Sequence, residues 1–307
     1  MGNCETTTCC KQNEKTNQEV MHEINNENIV PQSRFAQMTK DKEVTEEAKE
    51  PVIVEKEDNE KKTNSDDSSD NEEELKSNAP VEKCNEKNII YFENGCTYEG
   101  DWDPVKKRHG FGIYIWNDGS KYTGYWMGNA ANGFGKLEHE DGETYEGNWL
   151  NDKAHGYGEF RSKEGTVYKG EWKEDLQHGH GLEIWSNLAS YEGEYSQGKK
   201  EGHGVLKFSD GALYEGEFHL NLINGYGKYE WTNGKIYEGY WVDNKMSGKG
   251  KMVWKDGKIF EGSFLNDKRH GEGIMYYPNG KKVEGIWNQG KMEVEQVDNE
   301  PKRKSKN

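Results

Sequence analysis

The sequence predicts an all-β fold: an elongated single-layer antiparallel sheet of about nine β-hairpins, preceded by a disordered acidic N-terminal region. Three observations carry this prediction. A Tyr-x-Gly beat returns at Tyr98, Tyr122, Tyr145, Tyr168, Tyr191, Tyr214 and Tyr237, every 23 residues after a first interval of 24. Phe260-Glu261-Gly262 and Val283-Glu284-Gly285 close the series. A Gly-x-Gly follows each tyrosine at an offset of 11 residues, from Gly133-Phe134-Gly135 to Gly271-Glu272-Gly273. In the first unit Gly110-Phe111-Gly112 comes one residue late, because the loop around Pro104 is longer. A turn dipeptide such as Asp118-Gly119 or Asn233-Gly234 precedes the next tyrosine. A fixed period of this length marks units that stack on their neighbours and offer a long surface instead of a cleft. The expected activity is therefore binding.

Residues 1–10 form an acylation motif. Met1-Gly2-Asn3-Cys4-Glu5-Thr6 fits the M-G-x-x-x-[ST] pattern, so removal of Met1 would expose Gly2 for myristate. Cys4, Cys9 and Cys10 stand beside it as palmitate acceptors. One myristoyl chain binds a membrane only marginally, with K on the order of 10⁴ M⁻¹, and stable anchoring takes a second signal. A polybasic signal is not that second one, since Glu14 and Glu19 offset Lys11 and Lys15. The three thiols lack a nearby fourth ligand and suit structural zinc poorly.

Residues 11–88 are the disordered acidic linker. Residues 1–88 carry 12 Lys/Arg against 22 Asp/Glu, a balance of −10, with few aromatics. Such a chain buries too little apolar surface to offset its entropy. A helix over Asp41–Lys49 is marginal, and Pro51 ends it. As a flexible tether the linker would span roughly 50 Å. Ser69, in Ser69-Asp70-Asn71-Glu72, suits an acid-directed kinase, and Ser65 and Ser68 are weaker candidates.

Residues 89–290 are the array. Asn-Gly or Asp-Gly between two short aromatic runs is a hairpin signal, and the expected turn is type I′. Side chains alternate faces along a strand. Tyr98, Gly100 and Trp102 therefore share one face, as do Tyr145, Gly147 and Trp149, and Tyr237, Gly239 and Trp241. Gly156 and Gly158 belong to the same face, where a missing side chain leaves a hole for a neighbouring ring. The other face is expected to be charged, with Glu99, Glu146, Glu192, Glu215, Glu238, Glu261 and Glu284 in one file. Asn187-Leu188 replaces the turn dipeptide once, and that fifth turn is expected to be looser. Residues 291–307 are read as a disordered tail ending in Lys302-Arg303-Lys304-Ser305-Lys306. That basic end suits a nuclear signal, against which the acyl motif argues, or a salt-sensitive contact with acidic lipid or tubulin-like surfaces.

The pattern is clearest in Tyr145-Glu146-Gly147-Asn148-Trp149 followed by His155-Gly156-Tyr157-Gly158. It resembles the MORN motif (membrane occupation and recognition nexus). Tyr195 and Phe218 depart from it in place of Trp, and Val283 in place of Tyr. The resemblance implies an extended antiparallel sheet. It also implies scaffold roles at membranes, cytoskeletal structures and cilia or basal bodies, often as dimers.

Composition excludes several other classes. The formal charge is −16, with no basic patch in the array, so nucleic acid is not an expected partner. No stretch approaches the ~20 apolar residues of a membrane span, and there is no secretory h-region. Five cysteines, three of them within the first ten residues, fit a reducing compartment. His109, His155, His178 and His270 recur two strands apart, about 10 Å, too far to share a metal. The glutamate file recurs at the same spacing and reads as a solvated face paired with lysines. The Gly-x-Gly pairs lie within strands and precede no helix, so they are not phosphate loops. No cofactor, metal or catalytic residue is expected. The expected function is a non-catalytic, lipid-anchored scaffold for protein partners, a second copy of itself among them. Its place would be the cytoplasmic face of the plasma membrane, the cell cortex or a ciliary or basal-body membrane. Alternatives are a module that binds phospholipid headgroups directly and a regulatory subunit of a lipid kinase.

Overall fold

The computed structural model describes residues 89–295. Gly2, Cys4, Cys9, Cys10, Ser65, Ser68, Ser69, the linker and Lys302–Lys306 lie outside the described residues. The fold is all-β, an open sheet of nineteen antiparallel strands, with no helix among the described residues. Those residues fall into two compact units, 89–152 and 153–295.

The first unit is a meander of six strands in chain order. They are β1 (Ile89–Tyr91), β2 (Thr97–Trp102), β3 (Arg108–Ile115), β4 (Lys121–Met127), β5 (Ala130–Glu138) and β6 (Thr144–Leu150). Each pairs with the next. The second unit continues the plan with β7 (Lys153–Arg161), β8 (Val167–Lys173), β9 (Leu176–Ile184), β10 (Ser190–Ser196), β11 (Lys199–Lys207) and β12 (Leu213–His219). It ends with β13 (Leu222–Glu230), β14 (Ile236–Val242), β15 (Lys245–Val253), β16 (Ile259–Leu265), β17 (Lys268–Tyr276), β18 (Lys282–Asn288) and β19 (Lys291–Glu295). Strand β19 pairs with β18, so the sheet runs five residues past position 290, where the sequence reading begins the tail.

Two kinds of turn alternate, and the sequence reading named only one. The Asp-Gly and Asn-Gly turns are not type I′. Gly119 has φ 94°, while Asp118 stays at negative φ. Gly119 N donates to Trp116 O and Trp116 N to Ser120 O, which encloses three loop residues instead of two. This is a type I turn closed by one left-handed residue. Asp118 Oδ1 accepts from Ser120 N at 2.8 Å, the reason an Asp or Asn stands there. The fifth turn is built like the rest, not looser. Leu188 takes the left-handed position at φ 67°, Leu188 N reaches Trp185 O at 2.9 Å, and Asn187 Oδ1 caps Ala189 N.

The type I′ turns lie at the opposite strand ends. Asn151-Asp152, Glu174-Asp175, Leu220-Asn221, Asp243-Asn244 and Asn266-Asp267 each hold two consecutive residues at positive φ. Their second residue couples one repeat to the one before. Asn244 Oδ1 accepts from Ile223 N at 2.7 Å, and Asn244 N donates to Ile223 O at 2.9 Å. Asp152 makes the same pair of bonds with Ala131, and Asp175 with Ala154. An otherwise unpaired amide and carbonyl at each strand start are thereby satisfied.

Candidate interaction surface

The buried face follows from the tyrosine beat. Tyr98, Tyr145 and Tyr237 are buried, and so are Trp149 and Trp241. Glycines face one another across consecutive strands: Gly100 with Gly112, Gly112 with Gly124, Gly124 with Gly135, and Gly135 with Gly147. The second unit repeats the ladder from Gly158–Gly170 to Gly273–Gly285. The tyrosine rings lie over it. A Cβ built on Gly135 would stand 2.2 Å from Tyr122 Oη. Each phenol donates to the carbonyl three residues on, as Tyr145 to Asn148 at 2.9 Å and Tyr237 to Tyr240 at 2.9 Å. Trp149 Nε1 donates to Gly135 O and Trp241 Nε1 to Gly227 O. Tyr122 meets Trp126 and Trp149 edge to face, at 4.9 and 5.4 Å, so the rings of successive repeats interlock. Trp102 is the exception at 37% exposure, because the short β1 pairs only with Thr97–Glu99 and leaves the Trp102 end of β2 without a neighbour on that side.

The first glycine of each Gly-x-Gly has a different task from the hole assigned to it above. Gly156 has φ 69° and Gly133 φ 101°. They sit where the ladder register shifts, as between β4 and β5 beyond Gly124. The bulge needs a left-handed residue, so backbone conformation requires these glycines.

Tyr195, which replaces Trp, gathers a buried polar cluster. Its hydroxyl donates to Glu183 Oε2 at 3.0 Å, and Lys200 Nζ lies 3.0 Å from the same oxygen. The Lys200 and Glu183 side chains are 4% and 3% exposed. Burial, reinforced by Glu183, holds the Tyr195 phenol far above its ordinary value. Lys200 Nζ also lies within 5.2 Å of the Trp185 and Tyr191 ring centres. Breaking such a pair would leave an uncompensated buried charge. In the first unit, Arg108 stacks 4.3 Å from the Trp126 ring centre, and burial pulls its guanidinium below the usual value against the pull of Tyr114 and Asp152. Nearer β19, Trp254, Asp256, Lys258, Arg269, Met275 and Tyr277 line a half-open cavity of about 350 Å³.

The outer face is not simply charged. The residue next to the paired glycine on each strand points outward, and on three successive strands of the first unit it is aromatic. Phe111, Tyr125 and Phe134, on β3, β4 and β5, are 49%, 51% and 54% exposed. Phe111 pairs directly with Tyr125, rings 5.7 Å apart and edge to face. In the second unit the same row reads Tyr157, Glu171, His180, Glu194, His203, Glu217, Tyr226, Tyr240, Lys249, Ser263, Glu272 and Ile286. Alternate pleating places these rings outward, so the sequence held the signal, but the glutamate file beside them drew the reading toward charge. Part of that file does pair with lysine: Glu261 with Lys251 at 3.0 Å, directly across the ladder. Several carboxylates instead cap the bulge. Asp101 Oδ2 accepts from Phe111 N, Glu171 Oε1 from His180 N, and Glu217 Oε2 from Tyr226 N, each at 3.1 Å. The described residues contain no group of three His, Cys, Asp or Glu placed to hold a metal ion.

No curated protein matches the chain. Among solved structures, the TCP10 domain of Danio rerio CPAP matches at 11% identity, covering 68% of this chain and 98% of that one, with a TM-score of 0.37. The Drosophila melanogaster SAS-4 TCP domain matches at 14% identity, covering 58% and 85%, with a TM-score of 0.27. A Staphylococcus aureus virginiamycin B lyase matches at 14%, covering 65% and 83%, with a TM-score of 0.14. These scores carry no argument about this chain. The family model described as the MORN repeat matches eight consecutive segments, 106–121, 122–144, 145–167, 168–189, 191–213, 214–236, 237–259 and 260–282. With its ring-over-glycine ladder repeated through those segments, the chain belongs to the MORN-repeat family.

Proposed function

We propose that the chain is a non-catalytic, lipid-anchored scaffold that gathers protein partners at the cytoplasmic face of a membrane. One observation supports this reading above others. The buried row repeats almost unchanged, while the outward row varies from rings to His, Glu and Lys. A surface that varies on a constant frame suits protein recognition. Gly2, with Cys4, Cys9 and Cys10, would supply the anchor, because two acyl signals give stable attachment where one does not. Ser65, Ser68 and Ser69 would place phosphate on the tether between anchor and array.

The test is location in cells. Gly2→Ala should move the chain from the membrane fraction to the cytosol, and changing Cys4, Cys9 and Cys10 together to Ser should leave it only loosely bound. Unchanged membrane retention in Gly2→Ala would remove the anchor from the proposal.

A further inference from the structure

One inward position of the second unit changes from repeat to repeat while the tyrosine row beside it holds. Opposite the second ring of successive repeats stand Gln177, Lys200, Ile223, Met246 and Arg269. The first four are buried and Arg269 is half-buried. Two of them carry a charge. Lys200 meets its counter-ion inside the fold: Glu183 Oε2 lies 3.0 Å from its Nζ, and Tyr195 donates to the same oxygen. Arg269 stands three repeats on, and the residues matching Glu183 and Tyr195 there are Met252 and Phe264. Both are apolar, and both are buried at 4% exposure. The guanidinium donates from Nη2 to Gly290 O at 2.8 Å, and it lies 5.9 and 5.6 Å from the Trp254 and Phe260 ring centres. Burial pulls it below its usual value, and among the described residues Tyr277, not a carboxylate, pulls the other way.

The surroundings differ as well. Three repeats earlier the same place is closed, with Trp185, Ala189 and Phe208 at most 2% exposed. Their counterparts beside Arg269 are Trp254, Lys258 and Tyr277. Lys258, in place of the small Ala189, pairs with Asp256 at 2.8 Å, and Trp254 and Tyr277 are left partly exposed. The result is the half-open cavity of about 350 Å³ that Arg269 and Met275 also line. Lys258 and Asp256 neutralise each other, so Arg269 is the uncompensated charge of this lining.

That combination selects a ligand. One guanidinium matches one carboxylate through paired N–H donors. A phosphate dianion would bring a second negative charge that nothing in the lining offsets. The Trp254, Met275 and Tyr277 side chains favour an apolar neighbour, and Arg, Trp and Tyr are the residues that most often anchor protein contacts. A cavity at the small end of ligand pockets holds a side chain or two of a larger partner.

We propose that the Arg269 cavity receives an acidic side chain of a partner protein, flanked by an apolar residue that covers Trp254 and Tyr277. The partner supplies from outside the carboxylate that Glu183 supplies to Lys200 from within. This gives the chemistry of a partner for the scaffold proposed above and rests on that reading. It is tested in solution, so its failure leaves the Gly2 localisation result standing, and the reverse.

The probe is a blocked Leu-Glu-Leu peptide, titrated into the full chain and followed by nuclear magnetic resonance of the arginine side chains. Binding should appear at about 1 mM or tighter. Leu-Gln-Leu should bind at least about tenfold more weakly, the loss of a charge-assisted pair. Arg269→Met should lose as much, and Met246 shows that the position accepts methionine. Met252→Glu with Phe264→Tyr copies Glu183 and Tyr195 beside Arg269 and should close the site with the arginine still in place. Circular dichroism checks the fold of both variants, and either one alone decides the matter if the other misfolds. No binding by the parent at about 10 mM, equal binding of the glutamine peptide, or parent-like binding by a folded variant would overturn the proposal. Inorganic phosphate that displaces the peptide at equal concentration would reassign the cavity to a phosphate group, against the proposal. Binding that appears only after Asp298→Asn with Glu300→Gln would give the cavity to the chain's own tail and overturn it as well.

Discussion

At the scale of the residue, glycine does two separate jobs that one letter conceals. Gly239 has ordinary backbone angles, but an added Cβ would lie 2.5 Å from Gly250 Cα and 2.6 Å from Tyr237 Oη. Neither neighbour yields cheaply, since one is backbone and the other is a fully buried ring. Gly142 is the reverse case: a Cβ there meets nothing within 4 Å, but φ is 93°. Gly239→Ala should therefore destabilise by about 2–3 kcal/mol through overpacking. Gly142→Ala should cost only about 1 kcal/mol, the price of a left-handed alanine. Urea unfolding of the two variants measures the difference. Equal losses would mean that the ring does not lie over the glycine pair.

At the scale of the element, the hairpin turns explain both what the sequence discloses and what it hides. Leu188 stands at φ 67° with 79% of its surface exposed, so its side chain contributes strain and almost no packing. Leu188→Gly should stabilise the second unit by about 0.5–1 kcal/mol, the left-handed penalty less the greater unfolded-state freedom of glycine. A rise in the thermal midpoint checks it, and a fall would show that Leu188 makes contacts its exposure does not reveal. The position of this turn was legible because Asn187-Leu188 falls on the 23-residue beat, midway between Glu164-Gly165 and Asp210-Gly211, though its firmness was not. Tyr98, Gly100 and Trp102 were legible as one face because the pleat has period two. Glu174-Asp175 and Leu220-Asn221 were not legible as type I′ turns. Glu and Leu carry no turn signature, and it is the Asn or Asp bond to the preceding repeat that holds them there. The buried Glu183–Lys200 pair was equally hidden, since the beat marks rings and glycines but not the neighbouring inward positions that Leu137 and Phe160 fill elsewhere.

At the scale of the whole molecule, the repeated buried phenols tie the stability of the array to pH. Burial pushes Tyr98 from 10.0 up to about 12, and it also raises Tyr122, Tyr191, Tyr214, Tyr229 and Tyr237. Each raised folded-state value means that the neutral phenol is favoured by folding. Its contribution is complete below pH 10 and is lost as the pH climbs from there through the folded-state value. One phenol would cause a gentle slope. Several, each interlocked with the rings of the next repeat, lose their contributions over the same interval, and ionising one removes its bond to the carbonyl three residues on. The expected outcome is one steep transition above about pH 10, with the far-ultraviolet circular dichroism of the sheet and the tyrosinate absorbance changing together. Tyr122→Phe and Tyr214→Phe, made together, should move that transition to higher pH, as Phe260 shows that the ring position accepts a phenyl group. Tyrosinate absorbance that rose fully while the sheet signal stayed constant would mean that these hydroxyls are open to water and that the rings do not seal the glycine ladder.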